Sequence, residues 1–314
     1  MTPTYTPEQL EQYLLRIQYS SDSTIHSRLQ HLQQCVQKDP LASIAELQRR
    51  HLSTIPWGNS GLHYSPHHSI STHPEHVFEK LVVRRLDGYC METTNLLLGV
   101  LRSLGYQVYS TGGRVSHAAA MGVANGLYLA LGHMLLIVTI EGRKYMVDVG
   151  FGSNCATRPL PLEENAVATF IAPGEMRLIK DSIPELTDKS QRLWIYQVRY
   201  TPESEWIPQI CFSEVEFLPQ DFAVLNFFTS QNPVSWFTQS FVCARMILDG
   251  SGNDIQGQYI MWGNDVKMRV RGQSEVLQTL KTEEDRIQAL ARWFDMRFRE
   301  DEILAIRGTI SEIV

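Results

Sequence analysis

The hydrophobic repeat of this 314-residue chain changes period at Gly105. Before that residue apolar side chains recur at helical spacing; after it come short segments rich in β-branched and aromatic residues, bounded by turn residues. Thr6-Pro7-Glu8-Gln9 has the form of a capping box with proline at the first helical position, ahead of LEQYLLRI. Helical spacing continues from Ser23 to Leu52, with a break at Asp39-Pro40. The stretch IPWGNSGLHYSPHHSISTHPEH is rich in Gly, Pro, Ser and His and predicts irregular structure. VFEKLVVRRL predicts a further amphipathic helix, and METTNLLLGVLRSLG one that ends at Gly105. YQVYSTGGRV, HMLLIVTI, KYMVDVGF, LWIYQVRY and ICFSEVEF then read as strands of a small antiparallel sheet or barrel. The last third mixes strand-like VCARMILDG, QYIMWG and DVKMRVRG with a helix, TEEDRIQALARWFD, capped by Thr282. Helices, then strands, then a mixed unit make an α+β chain.

Bulk properties narrow the function. With 43% hydrophobic residues, a chain of this length can bury its own core without metal or disulfide support. A formal net charge of −6 repels a polyphosphate backbone, so nucleic acid is not an expected partner. The five cysteines are widely spaced with no C-x-x-C pair, which argues against a disulfide framework or zinc cluster. His63, His67, His68, His73 and His76 crowd together but lack regular ligand spacing, and no metal site is expected there. The longest apolar stretch, 126–140, falls short of the roughly 20 residues of a membrane span and contains His133. The start, MTPTYTPEQLEQYL, has no basic or apolar region of a signal peptide, so we expect no membrane partner and a reducing, cytoplasmic setting.

Three residues form a chemical constellation. Cys90 stands just before a helix expected to start near Met91, where unpaired N–H groups and the helix dipole favour a thiolate. HMLLIVTI and KYMVDVGF flank Glu141-Gly142, a pair suited to a two-residue hairpin turn. If Ile140 pairs with Arg143, His133 lies opposite Gly150 and Leu135 opposite Asp148. His133 and Asp148 then project from one face as diagonal neighbours, within reach of long side chains. A carboxylate there accepts a hydrogen bond from imidazole and sets its tautomer. Asp148 also stands in an otherwise apolar strand, where a carboxylate requires a partner.

At these residues the chain resembles the arylamine N-acetyltransferase family. RRLDGYCMETTNLLLGVLRSLGYQVYSTGGRV resembles its R-G-G-x-C-x-E-x-N motif and following strand, with Cys90, Glu92 and Arg114-Val115 in place and Asn95 one position late. GHMLLIVTIEGRKYMVDVGFG resembles the histidine strand and the D-V-G-F-G strand, supplying His133 and Asp148. LNFFTSQNPVSWFTQSFVCAR matches a later segment through Asn226, Ser230, Pro233, Ser235 and Phe237, and IPWGNSGLHY resembles I-P-F-E-N-L. The resemblance implies a cysteine-protease-like core in three units: an N-terminal helical bundle (1–105) carrying Cys90, a central antiparallel β-barrel (106–215) carrying His133 and Asp148, and a C-terminal α/β lid (216–314). It implies acyl transfer from acetyl-CoA, or another acyl-CoA such as malonyl- or propionyl-CoA, to an arylamine or hydrazine by a ping-pong route through an acyl-cysteine. The acyl-CoA is then a co-substrate, with no tightly bound cofactor. Coenzyme contacts are expected at Ser235, with Asn232 and Gly132 behind it, and SHAAAMGVANGLYLALG is placed to line an amine slot.

Two departures bear on the site. Leu86 and Asp87 replace the motif's arginine and first glycine, and Gly58 replaces the glutamate of I-P-F-E-N. In the family that glutamate and arginine form a buried pair; loss of both is nearly neutral where loss of one strands a charge. A rearranged but intact site is therefore expected, with Arg84 or Arg85 as a possible partner for Asp87. Two rival readings share the constellation: a cysteine hydrolase, and a non-catalytic binding protein. A malonyl donor calls for a cation near the pocket, for which Arg114 and Arg158 are candidates.

Overall fold

The computed structural model describes residues 4–19 and 27–314. Helices Pro7–Arg16, Arg28–Lys38 and Pro40–Thr54 open the chain. The Thr6 capping box forms as expected, and Asp39 caps the third helix by accepting the Ala42 N–H at 2.9 Å. The reading of helix from Ser23 falls partly on residues 23–26, which lie outside the described residues. VFEKLVVRRL is not one regular helix: Pro74–Phe78 is α-helical and Glu79–Val83 continues as a π-turn, with the Arg84 N–H bonded to the Glu79 carbonyl. The helix that begins at Cys90 runs Cys90–Ser103, with Tyr89 at its N-cap, and Gly105 follows in a left-handed conformation.

Among the described residues thirteen strands form two antiparallel sheets. They are β1 (Trp57–Gly58), β2 (Gln107–Ser116), β3 (Tyr128–Ile140), β4 (Arg143–Val147), β5 (Leu160–Pro161), β6 (Val167–Thr169) and β7 (Glu175–Asp181). After them come β8 (Leu193–Arg199), β9 (Ile207–Phe212), β10 (Val242–Leu248), β11 (Ile255–Trp262), β12 (Asp265–Val270) and β13 (Gln273–Thr279). The eight-stranded sheet has the order β5-β4-β3-β2-β9-β8-β7-β6, and β5 comes back against β7, so the sheet is nearly closed into a barrel. The second sheet, β1-β10-β11-β12-β13, takes its edge strand from the helical region and packs on helix Glu283–Phe294 through Cys243, Met261, Val266, Leu290 and Phe294.

One hairpin has a register that matters for chemistry. Glu141 and Gly142 both have positive φ, 50° and 79°, the twist that suits a two-residue turn between right-twisted strands. Ile140 pairs with Arg143 and the ladder runs to Leu136 opposite Val147. Asp148 lies one residue past its end. There its Oδ1 accepts the Gly150 N–H at 2.7 Å, a local bond that turns the chain out of the sheet.

Helix Pro219–Gln231 was not expected. Its apolar residues do not keep to one face, so Val224, Phe227 and Phe228 stay exposed and the sequence shows no helical stripe.

Candidate active site

Cys90, His133 and Asp148 arrive from a helix, a strand and the turn after a strand, and all three are buried. Two bonds tie the Cys90–Ser103 helix to β3: the Cys90 thiol donates to the Gly132 carbonyl at 3.6 Å, and Thr94 Oγ1 donates to the Met134 carbonyl at 3.2 Å. His133 Nε2 and Asp148 Oδ2 are 2.7 Å apart, which leaves Nδ1 for the thiol. The edge of the Phe151 ring stands 5.3 Å from the imidazole, centroid to centroid. Burial by itself lowers the His133 pKa, but the Asp148 carboxylate and a hydrogen bond with Cys90 override it and push it up to about 10. An imidazolium held this way is the natural counter-ion of a thiolate.

The loop after β4 is pinned from behind. Gln48 donates to the carbonyls of Asp148 and Ala156 at 2.9 and 2.7 Å, and the Cys155 thiol donates to the Asp148 carbonyl at 3.2 Å. Gly150 is required by close approach, since a Cβ there would lie 2.6 Å from the Cys90 Cα. Gln48, Thr94 and Gly150 carry no catalytic signature in sequence, because their importance comes from segments that are distant along the chain.

The departures at 58, 86 and 87 resolve as a rearrangement. Asp87 pairs with neither Arg84 nor Arg85; these engage Glu302 and Asp295. Its carboxylate instead accepts the N–H of Ser60 at 3.2 Å and the Ser60 hydroxyl, in the space that a side chain on Gly58 would fill. Nearby, Lys80 Nζ lies 2.7 Å from Glu92 Oε1, and Glu92 Oε2 accepts the Tyr89 N–H at 3.2 Å. Burial raises both carboxyl pKa values, while Lys80 opposes the rise. A cavity of about 290 Å³ borders this pair; Ser60, Tyr64, His76, Arg84 and Phe298 also line it.

The expected coenzyme contacts lie in two places. The Gly132 carbonyl is on the thiol itself. Asn232 and Ser235 bracket a turn between helices Pro219–Gln231 and Trp236–Gln239, where the Ser235 N–H donates to the Asn232 carbonyl at 2.9 Å. That turn reaches the site through Phe237, whose ring meets Trp57 and Tyr89 edge-on at 5.9 and 5.5 Å. The segment expected to line an amine slot forms a short helix, His117–Met121, with no buried residue. Arg158 pairs with Asp254, and Arg114 sits in β2 beside Gly113, the residue opposite His133. In the histidine-rich stretch His63 bonds Ser311 and the Phe237 carbonyl, and His68 meets the Leu62 carbonyl.

The family model for N-acetyltransferases matches residues 40–303. The chain belongs to the arylamine N-acetyltransferase family. This member is similar to an N-malonyltransferase of Gibberella moniliformis, with 35% identity over 95% of this chain and 91% of that one. It is 36% identical to an N-malonyltransferase of Fusarium pseudograminearum over 96% and 92% of the two chains. An arylamine N-acetyltransferase of Escherichia coli shares 28% identity over 77% and 74%. In fold, the family member superimposes on the arylamine N-acetyltransferase of Mycobacterium marinum in complex with CoA, with TM-score 0.74, 26% identity and coverage of 96% and 99%. The enzyme from Salmonella typhimurium gives TM-score 0.76 over 96% and 98%, at 23% identity. The chain is thus an acyltransferase with the α+β fold of its family.

Proposed function

We propose that Cys90, His133 and Asp148 carry out ping-pong acyl transfer from an acyl-CoA to an aromatic amine or hydrazine. The observation that carries this reading is the 2.7 Å contact of His133 with Asp148 beside a thiol at a helix N-terminus. The Cys90 thiolate attacks the thioester carbonyl, the bond to the CoA sulfur breaks, and CoA leaves with the His133 proton. The amine then attacks the acyl-cysteine, His133 takes its proton, and the Cys90 thiolate is restored. Asp148 orients the ring and stabilises its cationic form. Ser235, Asn232 and Gly132 remain our candidates for coenzyme contacts; that the Mycobacterium marinum enzyme of the same fold was solved in complex with CoA supports a CoA co-substrate. We keep the three-unit division at 105 and 215 as the frame: helices deliver the nucleophile, the barrel its base, and the last unit covers them.

Malonyl-CoA is the donor favoured by the two fungal relatives at 35% and 36% identity. Acetyl-CoA is the second reading, favoured by the bacterial relative. The chain's five cysteines are free thiols, and a thiolate nucleophile works in a reducing compartment, so we place the protein in the cytoplasm. Among the described residues no helix is long and apolar enough to cross a membrane.

The test is intact-mass measurement after separate incubation with acetyl-, propionyl- and malonyl-CoA, with Cys90→Ala as control. A donor-specific mass gain absent from the control is expected. No adduct and no CoA release, with or without an arylamine, would sink the transferase reading and leave the binding protein in front. Release of CoA without amine acylation would favour the hydrolase.

A further inference from the structure

The three residues before Cys90 are each held to a different neighbour. The Asp87 side chain takes both the N–H and the hydroxyl of Ser60. The Gly88 N–H donates to the Pro56 carbonyl at 3.3 Å, and its own carbonyl accepts the Gly58 N–H at 3.1 Å. The Tyr89 N–H is held by Glu92, and its hydroxyl donates to Asn226. From the other side Gly150 presses on the Cys90 Cα. The nucleophile's place is therefore set by a short segment clamped between β1, the helical turn Ser60–His63 and the start of its own helix.

Gly58 explains how the Asp87 clamp fits. Its φ is not in the left-handed region, so glycine is there for space and not for backbone freedom. A Cβ at 58 would lie 2.1 Å from Asp87 Oδ2 and 2.8 Å from the Val242 carbonyl oxygen. The carboxylate is completely buried, and without it the buried Ser60 N–H loses its partner. The side-chain bonds of Asp87 go to Ser60, not to the sulfur.

We infer that Asp87, seated in the space left by Gly58 and gripped by Ser60, is a positioning residue that aims the Cys90 thiol. Gly58, Ser60 and Asp87 act as one unit: a change at any of them releases the same segment. The assignment rests on Cys90 being the acylated residue.

A cycle of Ser60→Ala, Asp87→Gly and the double variant tests it, with Gly58→Ala alongside. Malonyl-CoA and acetyl-CoA are each supplied in a single turnover. CoA release, iodoacetamide alkylation of the thiol and the thermal midpoint are measured. Misplacement of a reacting atom by about 1 Å costs roughly 10²-fold, so Asp87→Gly and Gly58→Ala should slow acylation by ~30–100-fold and Ser60→Ala by ~5–10-fold. The double variant should be no slower than Asp87→Gly alone, because residues in one network are not additive. The donor concentration at half-saturation should stay within about twofold, since binding contacts are untouched. A folded Asp87→Gly protein that acylates at the parent rate overturns the inference, as does a double variant whose losses multiply. Should Asp87→Gly or Gly58→Ala fail to fold, Ser60→Ala decides, since it removes one hydroxyl: parent-like acylation refutes the positioning role. A parent protein that neither releases CoA nor gains mass refutes the Cys90 reading itself, which separates that failure from this one.

Discussion

His133 is held cationic chiefly by the Asp148 carboxylate, with a hydrogen bond to Cys90 beside it. Burial acts to lower its pKa, and the Asp148 carboxylate reverses that. In Asp148→Asn burial is left without its main opponent, so the His133 pKa falls and the imidazolium beside Cys90 is weakened. Acylation of Cys90 should fall by roughly 10²–10⁴-fold. The rate of iodoacetamide alkylation at pH 6 should fall with it, which stopped-flow or mass spectrometry can follow. The sign for stability follows from linkage. His133 has a folded pKa of about 10, above its unfolded value, so its contribution is complete below about pH 6.5. That contribution is lost as pH rises through about 10.

At the scale of elements, the hairpin of β3 and β4 decides whether His133 and Asp148 meet. Its two-residue turn places both central residues at positive φ, and only Gly142 does so without a Cβ penalty. Gly142→Val should destabilise the protein by about 1–2 kcal/mol, read as a lower urea midpoint at unchanged slope. The helix Glu283–Phe294 offers a separate check. Thr282 accepts the Asp285 N–H at 3.1 Å, and Asp285 accepts the Thr282 N–H at 3.1 Å. Thr282→Ala should cost about 1 kcal/mol by thermal or chemical denaturation, leaving acylation of Cys90 unchanged.

Over the whole molecule, two buried histidines make the fold sensitive to acid. Burial, aided by the Arg16 charge, holds His51 down at about 3, and burial holds His63 down at about 4. Both are neutral in the folded protein, while the unfolded chain takes up protons below about pH 6.5. Through these two groups the unfolded state binds more protons in that window, so their contribution to stability falls as pH drops from 6.5 towards 4. The urea midpoint should decline steadily over that range. In His51→Gln the decline should be shallower, because one of the two proton-linked groups is gone; an unchanged slope would remove His51 from the account. His63 also joins the Ser60–His63 turn to Ser311 and to the Phe237 carbonyl, so acid should loosen that corner first, as hydrogen exchange can show.

The sequence by itself determined much of the local structure and pointed to Cys90, His133 and Asp148, which the fold brings together. The caps at Thr6, Asp39 and Thr282, the break at Gly105 and the Glu141-Gly142 turn are written in neighbouring residues, so period and turn chemistry reveal them. The same turn made the approach of His133 to Asp148 legible, because a hairpin's register depends only on its loop. What the chain could not show in isolation comes from contacts between distant segments. The exposed apolar residues of Pro219–Gln231 hide its helical period, and the π-turn at Glu79–Val83 replaces a regular helix. Gln48 behind Asp148, Gly150 against Cys90 and Asp87 in the space of Gly58 owe their roles to residues 29 to 100 positions away. Tertiary structure decided these because close packing, unlike periodicity, leaves no mark on the residues nearby in sequence.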